Sequence, residues 1–421
     1  MFTAEKLEEK EEQKTQVQET EKETVPGTES RAETGKAQED NEDREKRKPF
    51  ILRHKQLTAL VIVMLGVVLL NFISWRSQGF SDLYRAHIFP IWMNTYGRFS
   101  SVFPFSLGEV MICIAVFGIP VSLIAMIVLL IVMKGRRKKV GRIFGFVYAW
   151  IFAFICVTET NNCFLLYHCA SFAEQNGIKV REHSREELEA LGDRLVGEIN
   201  ILAQQVQRDE NDRFILTADL DRTARESMAK LGDEFDFMGG YYVRPKPIHF
   251  SFFMSQMDLM GIYFPFSMEA NYNNDMTKCR TPATVCHELA HTKGFIREDE
   301  ANFIAFMACE RSDNVEYRYS GYLLALIQVR NRIFDYADEE QMIAFDSSIS
   351  DLVWTDLEAN SEYWEAVEEA DDTVFDTQTV SEISEKALET NLQLNGVEDG
   401  LESYGRMVDL LLDYYMVQDM R

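Results

Sequence analysis

Three apolar runs mark the first 170 residues. LTALVIVMLGVVLLNFISW (57–75) and VMICIAVFGIPVSLIAMIVLLIVM (110–133) each reach the ~20 residues that a helix needs to cross hydrocarbon. IFGFVYAWIFAFICV is shorter, but it continues into TETNNCFLLY, so a third span over 143–165 is expected, with a buried or interfacial helix as its alternative. Pro120 should kink the second span, which a membrane helix tolerates. Beyond residue 170 the pattern turns amphipathic. Ser184 and Glu187 make a capping box ahead of Leu188, Leu191, Leu195, Ile199 and Leu202 on one helix face. A second helix is expected over 220–231. The aromatic stretches 241–254 and 261–273, broken by proline and glycine, predict short or edge strands. Residues 281–303, TPATVCHELAHTKGFIREDEANF, read as helix, turn, helix, with Thr281 as N-cap, Pro282 in the first turn and Gly294 as the stop. SGYLLALIQVRNRIFDYA and SYGRMVDLLLDYYMV predict two further helices.

Charge adds a topology. The first 48 residues are rich in Glu, Lys, Gln and Thr and poor in apolar groups, so they are expected to be a disordered acidic tail. Basic residues flank the spans unevenly: REKRKPFILRHK (44–55) precedes the first, and KGRRKKVGR (134–142) joins the second to the third. The positive-inside rule then puts the N-terminus in the cytoplasm and everything after the third span outside the cell membrane. The expected organisation is a tail (1–48), a membrane region (49–170) and an extracytoplasmic domain (171–421). A net charge of -25 argues against nucleic acid as a partner. Spans almost free of ionisable groups argue against a transporter or channel. The seven cysteines include no CxxC pair, so a structural thiolate zinc site is not expected. The acidic stretch 338–376 reads as a solvated surface.

The chemistry lies in HELAH. On a helix, His287 and His291 leave one face a turn apart, and two neutral imidazoles at that spacing bind Zn²⁺. Glu288 beside them is placed to act as general base toward water activated by the metal. A third ligand is needed, and the candidates are Glu298 and Glu300. HTKG resembles the H-x-x-G turn of metzincin proteases, although Arg297 stands where that family has its third histidine. Glu298 with Asn302 resembles the glutamate helix of gluzincin peptidases. That likeness implies Glu298 as ligand and Asn302 as the partner orienting a histidine. Lys293 departs from the apolar residue usual two positions after the second histidine. For the oxyanion, Tyr319 is the first candidate, with Tyr322 an alternative and His249 a weaker one. Cys286 reads as core.

Taken in order, the membrane spans, GIYFPFSMEANYN, TVCHELAHTKGFIREDEANFIAF, YSGYLLAL and SYGRMVDLLL resemble a bacterial membrane-protein family catalogued as domain of unknown function 3810, over roughly residues 50–415. The resemblance implies the architecture and a zincin-like site, and no substrate. The fold expected is mainly α, three transmembrane helices followed by a zincin-like α+β extracytoplasmic domain. The function expected is a membrane-anchored zinc metallopeptidase acting on a peptide or protein at the outer surface of the bilayer. Its rival is a zinc-binding membrane receptor or scaffold without hydrolysis.

Overall fold

In the computed structural model the described residues are 54–178, 181, 183–370, 376–397 and 406–419. The expected N-terminal tail lies outside them. The chain divides into Met1–Ile62, of which only 54–62 are described, and one compact unit, Val63–Arg421. The protein is mainly helical with one small sheet.

Three helices are long and apolar enough to cross a membrane: α1 (Lys55–Arg76), α2 (Leu107–Val132) and α3 (Lys134–Tyr167). Their side chains are almost wholly uncovered by protein, as lipid-facing helices require. α3 begins nine residues before the span read from sequence and ends within two residues of it. In α2 the backbone widens into a π turn at Ile114–Gly118, ahead of Pro120, which lacks an N–H to donate. Another π turn, Thr160–Phe164, lies just before the last residues of α3. There Thr160 accepts a hydrogen bond from the Asn71 amide at 2.8 Å, and Asn162 donates to the Pro265 carbonyl at 2.8 Å.

The rest of the unit is built from α4 (Arg185–Ala203), α5 (Leu220–Lys230), β1 (Lys246–Ile248), α6 (Ser251–Gln256), β2 (Gly261–Phe264) and β3 (Glu269–Asn273). It continues with α7 (Thr281–His291), α8 (Glu298–Glu310), α9 (Val315–Phe334), α10 (Glu339–Ser348), α11 (Asp351–Glu368), α12 (Thr377–Leu394) and α13 (Met407–Asp419). The Ser184–Glu187 capping box forms at the head of α4. α8 is apolar on every side through Phe303, Ile304, Phe306 and Met307, all fully buried, so it is the central helix of the core. α7, α9 and α13 pack around it. The acidic stretch after Asp338 folds into the partly exposed helices α10 and α11.

The sheet has the order β1-β3-β2, with β1 parallel and β2 antiparallel to β3. β2 is therefore an edge strand. Sequence pattern overstated the strand near β1, where only three residues pair and Ser251–Gln256 turns into helix. Pro245 and Pro247 remove ladder donors on either side of Lys246. The Glu109 carboxylate then takes the N–H groups of His249 (2.9 Å) and Phe250 (2.7 Å), which ends the strand.

The sheet is joined to the head of α2 by a buried charge cluster. Glu269 on β3 accepts from the N–H groups of Leu107 (3.1 Å) and Gly108 (2.8 Å), from the Ser267 hydroxyl (2.6 Å) and from the Lys246 ammonium. Lys246 donates also to the Ser100 carbonyl at 2.6 Å. A carboxylate at a helix N-terminus is favoured by the helix dipole as well as by these bonds. Gly108 allows the contact, since a Cβ there would lie 2.6 Å from the Phe264 ring.

Candidate metal centre

α7 begins from a turn over 277–280, so Arg280 rather than Thr281 precedes its first residue; the Arg280 side chain makes no cap, and the Ser320 hydroxyl accepts the Ala283 N–H at 3.1 Å instead. Pro282 sits in the first turn, as read. The helix stops at Gly294, whose φ of +87° is the left-handed conformation that glycine adopts without strain. That reversal brings the Phe295 carbonyl back to accept the Nδ1 proton of His291 at 2.7 Å. The Nδ1 of His287 donates in turn to the side-chain oxygen of Asn302 on α8, at 2.8 Å.

Both acceptors are carbonyl oxygens, so each neutral ring carries its proton on Nδ1 and offers a lone pair on Nε2. The two Nε2 atoms face each other 3.0 Å apart. The Glu298 carboxylate joins them, one oxygen 2.9 Å from Nε2 of His287 and the other 3.8 Å from Nε2 of His291. Three lone-pair donors turned toward one point repel unless a cation lies among them. In the metal-free chain a proton does part of this work. Burial lowers the affinity of His287 for a proton, but the hydrogen bond and charge of Glu298 outweigh it and raise its pKa to about 9. Burial instead holds His291 down to about 4. Two histidines and a carboxylate form a donor set that suits zinc.

Glu288 lies beside this triad. Potential ligand atoms of His287, Glu288 and His291 all fall within 4.8 Å of one another. Glu298, with an oxygen turned to each Nε2, completes the convergence better, which leaves Glu288 adjacent to it. One Glu288 oxygen packs against β2, where a Cβ on Gly261 would come within 2.3 Å of it. The other is buried with no hydrogen-bond partner. Burial pushes the Glu288 carboxyl up to about 8.

Glu300, the competing third ligand, faces elsewhere. Its carboxylate accepts the N–H of Phe172 at 2.9 Å, and burial raises it to about 7. Arg297 donates to the Tyr167 carbonyl at 3.3 Å, and so ties the start of α8 to the end of α3. Lys293 finds a use of its own: its ammonium bonds the Gly239 carbonyl (2.6 Å) and lies 4.0 Å from the Tyr242 ring centre.

The tyrosine expectation needs correction. Tyr319 is fully buried on the far side of α9, stacked on Phe214, and its hydroxyl donates to Asp356 at 2.5 Å. It does not reach the histidines. Tyr322 packs edge-on against Phe306 within the core, and His249 sits by α2. Two phenols line the cavity at the cluster: Tyr167 at the end of α3, and Tyr263 on β2, with its ring 6.1 Å from that of His291 and its hydroxyl buried without a partner. Burial holds the Tyr263 phenol well above its usual pKa. The sequence signal for Tyr263 was its place in the segment already read as an edge strand.

A cavity of about 440 Å³ opens onto the cluster. Its walls come from α7, α8 and β2, from Gln328 on α9, from Leu388 on α12, and from Glu159 and Cys163 in the last turns of α3. The participation of α3 was not read from sequence.

No curated protein and no solved structure matches the chain. A family model does match, over residues 84–412, from the helical turns that follow α1 to the middle of α13. With more than three-quarters of its length covered, the chain belongs to the family described as Protein of unknown function (DUF3810).

Proposed function

We propose that this chain is a membrane-anchored, zincin-like metallopeptidase that holds Zn²⁺ through His287, His291 and Glu298. The observation that carries the proposal is the convergence of two Nε2 lone pairs and one carboxylate, with both Nδ1 atoms tied to fixed acceptors. Ligating histidines held in this way keep their tautomer and orientation. When bound, zinc lowers the pKa of water toward ~7 and polarises a carbonyl.

The remaining roles fall to the chain. Glu288, with a buried oxygen that has no hydrogen-bond partner, is placed to accept the proton of the attacking water and return it to the leaving amine. The edge strand β2 offers backbone groups to an extended peptide, which would lie along the cavity past Glu288. Tyr263 donates its unpaired hydroxyl to the developing oxyanion. The basic segments 44–55 and 134–142 favour a cytoplasmic N-terminus, and so an extracytoplasmic site next to the outer membrane surface. A peptide or protein segment near that surface is the substrate this arrangement fits.

The rival is a zinc-binding receptor or scaffold without hydrolysis. A buried, unpartnered carboxylate oxygen on Glu288 costs stability that a purely structural site has no reason to bear. The test uses the full-length purified chain. One zinc per chain, lost in His287→Ala and kept in Glu288→Gln, with peptide hydrolysis lost in both, is the expected result. Zinc retained with no hydrolysis of a diverse peptide library by the wild type would favour the scaffold. No zinc after reconstitution would end both readings.

A further inference from the structure

The metal centre does not account for a cluster of exposed aromatics that follows β1, at the opposite edge of the sheet from β2. Phe250, Phe252 and Phe253 are 58 %, 40 % and 51 % exposed, although Ser251, Met254, Ser255 and Gln256 of the same short segment are buried. One face of α6 is thus packed against protein, while Phe252 and Phe253 on the helix and Phe250 just before it stay exposed.

The position of this face is fixed. The N–H groups of His249 and Phe250 are held by Glu109, in the first turn of α2, at 2.9 and 2.7 Å. The loop is therefore pinned at the level where the apolar part of α2 begins. Between the two lies a groove of about 650 Å³, bordered by His249 and Phe250 on one side and by α2 residues from Ser106 to Val121 on the other. At 1.5 Å per residue that stretch of α2 is roughly 22 Å long, close to the length of an extended acyl chain. The groove is polar only at its head, where Ser106, Glu109 and His249 meet; below them Val110, Ile114, Phe117 and Val121 line it. It runs without a break into the uncovered apolar surface of α2.

We propose that residues 249–253 form a lipid-docking surface, with Phe250, Phe252 and Phe253 entering the membrane leaflet and an acyl chain lying in the groove beside α2. Phenylalanine rings on the apolar face of a segment lying in the interface bury into the headgroup and acyl boundary. The occupant is lipid because the face continues the lipid-exposed surface of a span and is held to its first turn by backbone hydrogen bonds. A second protein would have to displace lipid from α2 to reach the groove. The proposal is independent of the metal centre.

The test is site-directed spin labelling of the full chain in phosphatidylcholine nanodiscs, with Phe250→Cys reading the groove and Phe253→Cys the loop, and the signal of identically treated wild type subtracted. Collision with oxygen is compared with collision with a water-soluble nickel chelate. The expected result at both positions is strong relaxation by oxygen and little by nickel, a positive depth parameter. Strong relaxation by nickel would place the loop in water and overturn the proposal. Shielding from both reagents would mean that protein covers the face, which overturns it as well. Phe252→Cys offers a third reading on the same face should either variant fold poorly.

Discussion

Two buried charge clusters flank the same small sheet, and they differ in one respect. Around Lys246 and Glu269 every strong group is answered: an ammonium, two helix N–H groups and a hydroxyl converge on one carboxylate. Around His287, His291 and Glu298 the acceptors outnumber the protons, and a neighbouring carboxylate oxygen and a phenol stay unpaired. Both are expensive to bury. The first is closed and holds structure together. The second is left open, and what would close it is a cation and a substrate. Burial and charge are common to both clusters; on the proposed reading, the imbalance around the histidines is where a cation and a substrate would fit.

The comparison can be broken most directly at His287. Alanine there should reduce bound zinc from one per chain to background and abolish hydrolysis, read by elemental analysis and a peptide assay. Glu288→Gln should keep the metal and lower kcat by about 10²–10⁴-fold, the range for a lost general base. On the closed side, Glu269→Ala should leave Lys246 charged and unpaired, at a cost of about 3–5 kcal/mol, measured by thermal unfolding in detergent. If zinc content and kcat fell while stability held, the two clusters would not be separable as drawn. Tyr263→Phe should lower kcat by about 10²-fold with KM little changed, and should not destabilise the chain, since the hydroxyl it removes has no partner. An unchanged kcat would remove Tyr263 from the reaction. Asn302→Ala should weaken zinc affinity by about 10–100-fold, seen in competition with a chelator. The smallest effect is expected for Lys246→Met combined with Glu269→Leu, which should cost less than Glu269→Ala alone because no charge is left uncompensated.

Much of this was legible in the chain. The spans were visible because twenty apolar residues in a row have few other uses, and α7 and α8 because HELAH, Gly294 and the acids after Arg297 each carry a local signal. The choice between Glu298 and Glu300 was not. Both lie in the first turn of α8, and only the turn set by Gly294 decides that one faces the histidines and the other the Phe172 N–H. Tyr319 looked suitable by spacing alone, but its hydroxyl is taken by Asp356, a residue 37 positions away that no local pattern links to it. The short helix α6 was read as strand because its phenylalanines suit either, and the Glu109 carboxylate that settles the matter comes from 140 positions upstream. Long-range hydrogen bonds made the difference in the last two cases.

The tie between sheet and membrane helix also bears on how this protein can be handled. Glu269 needs the backbone of Leu107 and Gly108, Lys246 needs Ser100, and Pro265 is bonded by Asn162. A shortened chain beginning just after the third span would strip partners from the sheet that borders the metal centre, and the remainder should aggregate rather than behave as a portable soluble enzyme. Anyone seeking an inhibitor or a crystal is better served by the intact chain in a lipid mimic than by a trimmed one. The apolar helices and their connecting turns supply hydrogen-bond partners to the part they would otherwise merely carry.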